Sequence, residues 1–331
     1  MVERLRERGI LAKVLVAFAC VYFIWGSTFL AIRIAIETLP PLLMCAARLL
    51  SAGLVLLAWA RVTGAPWPKG AELRNAAAVG VLLPAIGNGA VTLGTTHVPS
   101  GLVALLVATI PLWMALLASF GRDAVRPSAR AIAGLLLGFG GIALLLGPSL
   151  ANAARAEFPA VWALIPIAGS LSWSWGSLWS RRVRMPASPL ASTGAGMLAG
   201  GVFLLAASAA LGEFARFEPA RVTWGSVAAL AYLSAFGSVV GFSAYLYLLR
   251  YVPPSLVATY AFVNPIVAMA LGWAFAGEAL SNRSLTAGAL VVVAVALITT
   301  ARTGPRVRRT AGSGAPAPEP LGQEEPCAPS S

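Results

Sequence analysis

The chain has a single histidine, His97, and a single aspartate, Asp123, and no Asp or Glu lies centrally in any of its apolar stretches. Intramembrane metalloproteases and carboxylate-dependent transferases need ligands or acid–base groups inside the fold. This inventory therefore argues against an enzyme and against a bound metal. No glycine-rich phosphate loop with its lysine is present, which argues against ATP-driven pumping by this chain alone. Gly134, Gly138 and Gly141 have the spacing of a dinucleotide fingerprint, but they lie in an apolar helix with no strand before them. There they read as small residues for close helix packing, and no cofactor is expected. The three cysteines, Cys20, Cys45 and Cys327, are scattered and form neither a CxxC pair nor a disulfide framework.

Charge itself is scarce. Asp, Glu, Lys and Arg make up 11% of the 331 residues, about half the usual share of ~25% in a soluble domain. Hydrophobic residues make up 58% and the mean hydropathy is +0.81. The chain reads as an all-α polytopic membrane protein. Ten spans are expected, at about 12–34, 41–60, 75–94, 100–120, 130–147, 160–180, 190–211, 225–249, 255–276 and 284–301. Each is near the ~20 residues a helix needs to cross the hydrocarbon. The basic residues from Met1 to Cys20 and the run Ala17-Phe18-Ala19-Cys20 imitate a signal peptide. The apolar run continues to Ile34 without a cleavage box, so an uncleaved first helix is expected.

A net charge of +12 would suit nucleic acid if it were clustered on one surface, but its distribution follows the spans. With the N-terminus in the cytoplasm, 18 of the 24 Lys and Arg fall in inner segments and four, Arg155, Arg216, Arg221 and Arg283, in outer loops. Arg33 and Arg48 lie within spans. This bias places both termini in the cytoplasm and explains the charge by topology and anionic headgroups. The expected partners are a small-molecule substrate and the lipid bilayer of the inner (plasma) membrane, with no nucleic acid and a homodimer left open.

The chain also repeats itself. Val98-Pro99-Ser100-Gly101-Leu102-Val103-Ala104, leading to Pro111, returns as Val252-Pro253-Pro254-Ser255-Leu256-Val257-Ala258, leading to Pro265. The offset of 154 needs no gap from Gly87/Gly241 to Gly134/Gly288, and Trp25-Gly26-Ser27 recurs as Trp175-Gly176-Ser177 at an offset of 150. Five spans in each half force the second half to enter from the opposite side, giving inverted repeats. The organisation expected is a cytoplasmic N-terminus at 1–11, a first five-helix repeat at 12–147, an outer linker at 148–159, a second repeat at 160–301, and a cytoplasmic tail at 302–331. That tail is rich in Pro, Ala, Gly, Ser and Glu and is expected to be disordered.

The residues Trp25-Gly26-Ser27-Thr28, Ala46-Ala47-Arg48-Leu49-Leu50, Ser100-Gly101 through Pro111, Leu256-Val257-Ala258 through Asn264-Pro265, and Gly277-Glu278, together with Gly134 and Gly288, resemble the ten-helix, EamA-type branch of the drug/metabolite transporter superfamily. The resemblance spans about residues 12–301. It implies a permease that moves small organic metabolites or amphipathic drugs, usually outward, through a cavity between the halves. The chain departs from the pattern at Gly121-Arg122-Asp123-Ala124, where the acidic end signature of the second half is degraded.

Within this frame the substrate-binding candidates are Trp25, Asn88, Trp113, Trp173, Trp175, Ser177, Tyr260 and Asn264. Asn264, Tyr260 and Asn88 put polar groups where lipid would penalise them. The serine- and tryptophan-rich sixth span offers aromatic faces with hydroxyls for an amphipathic ligand. Pro111 and Pro265, mid-span at matching positions, and Arg48, roughly 10 Å inside the second span at 1.5 Å per residue, are gating or hinge candidates. Arg48 could instead pair with carbonyls or with Glu37. With no central titratable group, coupling to protons is expected to be weak, through Glu37, His97 or Glu278 at the outer mouth, or absent altogether. The function expected is that of a secondary exporter of small amphipathic metabolites working by alternating access. The alternatives are a multidrug efflux permease and a non-transporting membrane sensor.

Overall fold

The computed structural model describes residues 10–120, 127–151, 158–252, 257 and 259–300. The expected disordered tail, the N-terminal residues before Ile10, Asp123 and residues 152–157 of the linker lie outside the described residues. Within them the secondary structure is helical throughout, without a strand. Eight helices are long and apolar enough to cross a membrane: α1 (Leu11–Ala35), α2 (Pro41–Val62), α3 (Gly70–Thr95), α4 (Ser100–Ala118), α5 (Ala129–Gly147), α7 (Pro189–Ala210), α8 (Trp224–Tyr245) and α10 (Asn282–Thr300). A ninth apolar helix, α9 (Tyr260–Ala276), is shorter. Between α5 and α7 lies α6 (Ala160–Ser180), of 21 residues, diluted in hydropathy by its serines. The chain is a multi-pass, all-α membrane protein.

The helix starts show why the chain folds here. Four backbone N–H groups at each helix N-terminus lack partners within the helix, and in a membrane protein they must find them elsewhere. Pro41 and Pro189 open α2 and α7 with a residue that has no N–H to satisfy. Ser188 and Thr223 accept from the N–H of Ala191 and Ser226 at 3.3 Å. Two other starts are capped from a distance. After α7, Gly212 takes a left-handed turn (φ +70°) that brings the Glu213 carboxylate onto the start of α2. There it accepts from the N–H of Leu42 (3.1 Å) and Leu43 (2.8 Å) and from Ser208 Oγ (2.8 Å). After α9, Gly277 (φ +63°) does the same for Glu278, which accepts from the N–H of Ser100 (2.6 Å) and Gly101 (3.0 Å) at the start of α4. Only glycine takes this left-handed turn without strain, and an anion suits the positive end of a helix.

Backbone packs against backbone between α2 and α7, between α5 and α10, and between α3 and α7, where Gly80 faces the backbone of Gly196. On α2 and α7, a Cβ at Gly53 would lie 3.0 Å from Gly194 O, and one at Gly194 would lie 3.0 Å from Leu57 N. On α5 and α10, a Cβ at Gly134 would lie 2.9 Å from Ala294 O, and one at Gly141 3.2 Å from Ala287 O. Gly138 faces the side chain of Leu112 and the Cβ of Ala294. The close-packing role read from the spacing of Gly134, Gly138 and Gly141 agrees with this geometry.

Three helices are irregular. α1 widens into a π turn at Cys20–Ile24, α3 at Val81–Gly87 and α8 at Leu233–Val240. Pro84 lies inside the second of these. In α4 the helix runs Ser100–Val107, breaks, and resumes at Ile110–Ala118. Pro111 stands in the first turn of the resumed segment, where a missing N–H is harmless, and Thr109 Oγ1 donates to Leu106 O at 2.5 Å within the break. The interruption thus falls just before Pro111, not at it. Pro265 lies inside a continuous α9.

Candidate functional site

The irregular helices surround a cavity of about 120 Å³. Its walls come from α1, α3, α4, α6, α8 and α9, with one side chain from α2. Six residues singled out from the sequence meet there: Trp25, Arg48, Asn88, Trp173, Tyr260 and Asn264. The cavity is apolar and aromatic over most of its wall. Trp25 meets Phe242 and Tyr260 edge-on, at centroid distances of 5.5 and 5.1 Å. Trp25, Tyr245 and Tyr260 also pack against a buried apolar cluster of Val14, Ala17, Val21, Leu248, Val252 and Val257. These rings thus join the cavity wall to the apolar cluster near the start of α1.

The polar side chains of the wall are tied to the π turns. A π turn shifts backbone hydrogen bonding by one residue and turns carbonyls away from their usual partners. Trp25 Nε1 donates to Gly237 O in α8 at 3.1 Å. Asn88 Nδ2 donates to Pro84 O in α3 at 3.0 Å. Asn264, with its amide oriented to suit its neighbours, donates through Nδ2 to Tyr22 O in α1 (3.1 Å) and to Tyr260 O (3.2 Å). From α6, Ser172 Oγ donates to Leu82 O at 2.9 Å, and Ser174 Oγ donates to Ile110 O at 3.1 Å, next to the break in α4. Trp25, Asn88 and Asn264 thus both line the cavity and hold its irregular walls, while Ser172 and Ser174 brace those walls from beside it.

Glycines let the walls approach. A Cβ at Gly26 would stand 2.7 Å from Val267, one at Gly87 2.7 Å from the Trp173 ring, and one at Gly241 2.3 Å from Trp25 Nε1. None of these positions tolerates a larger residue without displacing an aromatic or a neighbouring helix.

Among the described residues Arg48 is the one formally charged side chain on this wall, and it is only 5% exposed. Its Nε donates to Ser238 Oγ in the α8 π turn at 3.0 Å. Glu37, the sequence's candidate partner for it, is exposed in the turn after α1. Arg33 instead reaches Thr95 O at 3.1 Å.

Three candidates stand elsewhere. Trp175 is 61% exposed on the outer face of α6. It lies two residues, roughly 200° around the helix, from the inward Trp173. Ser177 Oγ bonds back to Trp173 O at 2.7 Å within its own helix. Trp113 packs edge-on against Phe139 of α5, with centroids 5.0 Å apart, and does not line the cavity. The candidate coupling groups are also off the cavity wall. His97 is exposed and stacks on Trp162 at 3.8 Å, and Glu278 is engaged as the α4 cap. Sequence reasoning missed Thr28, Phe29 and Phe242 on the wall, which carry no signal that distinguishes them from packing residues. It also missed Gly212-Glu213, although that dipeptide repeats the Gly277-Glu278 pattern after an apolar span.

The family model for the EamA-like transporter family matches residues 12–147 and 160–300. The chain is 39% identical over 285 residues to the uncharacterized inner membrane transporter YedA of Escherichia coli K12, covering 86% of this chain and 89% of that one. It is 30% identical over 283 residues to a WAT1-related chloroplastic protein of Arabidopsis thaliana, covering 84% of this chain and 67% of that one. A solved crystal structure superposes with a TM-score of 0.59 at 20% identity, covering 86% of this chain and 97% of the other, and shares its fold. The family is one of transporters, and YedA is named as a transporter. The chain is a membrane transporter and belongs to the EamA-like transporter family of the drug/metabolite transporter superfamily.

Proposed function

We propose that this protein is a secondary exporter of small amphipathic organic molecules in the inner membrane, and that it is not an enzyme. Counting α6 and α9 as spans gives ten, arranged as two inverted five-helix repeats with both termini cytoplasmic. The substrate occupies the cavity between the repeats, and the repeats rock to expose it to each side in turn. The observation that carries this reading is the composition of the cavity wall. An aromatic surface with a few fixed polar groups is built from both halves of the chain, around backbone that is non-ideal and lines a cavity. The break in α4 and the π turns of α1, α3 and α8 are where the walls can change shape. The substrate-binding residues are Trp25, Asn88, Trp173, Tyr260 and Asn264. Glu37 and His97 remain candidates for weak coupling at the outer mouth.

The test is untargeted quantitation of small molecules in cells and medium. It compares overexpression of the chain with overexpression of an Asn264→Trp variant at equal membrane abundance. The reading predicts at least one compound that accumulates outside only with the parent chain. Identical profiles would count against export, and an inward shift would reverse the direction.

A further inference from the structure

The hydrogen-bond inventory of the cavity restricts what it can hold. Thr28 Oγ1 donates to Trp25 O (2.6 Å), Ser170 Oγ to Pro166 O (2.9 Å), Asn88 Nδ2 to Pro84 O and Trp25 Nε1 to Gly237 O. Asn264 Nδ2 is shared between Tyr22 O and Tyr260 O. These donors are committed to backbone carbonyls. Arg48 is different. A guanidinium carries five N–H donors in a rigid fork and no acceptor. Among the described residues the Arg48 side chain makes one hydrogen bond, from Nε to Ser238 Oγ. Its Nη2 lies beside Gly237, where the missing side chain leaves the fork uncovered toward the cavity. Among the described residues no Asp or Glu lines the cavity, and the ion pairs there, Arg184–Glu72 and Arg221–Glu218, involve no residue of its wall.

A buried cation without a counter-ion is strongly unfavourable unless something compensates it. The protein could have compensated Arg48 with a carboxylate, as it caps two helix starts with Glu213 and Glu278, but it does not. The compensation is therefore left to whatever enters. Resting on the reading of this cavity as the substrate site, we propose that the transported molecules are amphipathic organic anions. Their carboxylate is taken by the two Nη groups of Arg48, and their apolar body lies against Trp25, Trp173, Phe242 and Tyr260. Ser238 acts as a positioning residue, holding Nε so that the fork presents its far edge. An organic cation would meet an unshielded positive charge in a low-dielectric cavity and be rejected.

The test is binding of tritiated probes to the purified full chain in lipid nanodiscs. The probes are 4-phenylbutyrate, 4-phenylbutyramide and 4-phenylbutylammonium, together with the matching carboxylate, amide and ammonium on an indole body. The parent chain is expected to bind the carboxylates at least tenfold more tightly than the amides, in line with the worth of a charge-assisted hydrogen bond, and to bind the ammonium compounds least. Arg48→Gln removes that preference while the apolar body still binds weakly. Arg48→Lys keeps the preference for the anion but reduces it, because the point charge lacks the fork. If Arg48→Gln does not accumulate, the charge series on the parent and on Arg48→Lys decides. An amide or ammonium that binds the parent as well as the carboxylate, or a preference unchanged in Arg48→Gln, overturns the proposal. If the ammonium compounds bind best and Asn264→Trp abolishes that binding, the cavity remains the substrate site and only the anion assignment falls. If none of the six probes binds above empty nanodiscs, both fall.

Discussion

The helix pairs α2–α7 and α5–α10 differ in kind from the helices around the cavity. The paired helices are regular, and glycines such as Gly53, Gly194, Gly134 and Gly141 bring backbone to within van der Waals contact of backbone. The cavity helices α1, α3, α4 and α8 are interrupted, and side chains from other helices reach across to carbonyls at the interruptions. Without water, a membrane helix can associate by packing tightly or by exchanging hydrogen bonds. The α2–α7 and α5–α10 pairs rest on the first, and the interrupted helices add the second where they line the cavity. The contrast separates a frame from a working part within one bundle.

Crowding the frame should have the largest effect. In Gly194→Val the new side chain meets Leu57 and the backbone of Gly53, and a loss of about 3 kcal/mol or more is expected. Thermal unfolding in detergent should show it as a large drop in Tm. Gly140→Val is the control, because a Cβ there meets nothing within 4 Å; an equal drop for both would erase the distinction. Next come the distant caps. Glu213 is buried and accepts from three donors, whereas Glu278 accepts from two. Glu213→Ala should therefore destabilise by about 2–3 kcal/mol, more than Glu278→Ala; the reverse order in Tm would contradict that ranking.

The working part should respond differently, losing function before stability. Asn264→Leu removes the bond to Tyr22 O and should destabilise by only about 1 kcal/mol. Flux of an identified substrate through proteoliposomes should nevertheless fall at least tenfold. A variant that kept its flux would take Asn264 out of the site. Trp25→Phe keeps a ring but loses the N–H to Gly237 O. A few-fold change in apparent affinity with little change in Tm is expected. The smallest effect should be that of Trp175→Ala on the lipid face, within about 0.5 kcal/mol and without change in flux. A clear transport defect there would show that exposure on α6 misrepresents its role.

Much of this architecture can be read from the sequence. The apolar runs locate the helices, because burial in lipid needs long stretches without charge. The polar residues that lipid would penalise, Asn88, Asn264, Tyr260 and Arg48, all line the cavity. The rest follows from effects that have no compositional mark. A π turn is built from the same residues as the α-helix around it, and only Pro84 hints at the one in α3. Pro111 points to an interruption in α4, but the break falls at the preceding residues because proline fits the first turn of a new helix. The tripeptide shared by Trp25 and Trp175 carries no information about facing. Trp25 turns inward to a carbonyl, while Trp175 faces outward because Gly169, Ser170 and Trp173 already define the inward face of α6. The Gly-Glu caps depend on partners 171 and 178 residues away, a distance no local pattern spans.

That distance bears on how the protein is made. When α2 and α4 leave the ribosome, the carboxylates that finish them have not been translated. The start of α2 stays open until Glu213 emerges, and that of α4 until Glu278 does. The first half therefore enters the membrane provisionally. Those two starts gain their carboxylates only when the ends of α7 and α9 arrive, so completion of the late helices also finishes the early ones.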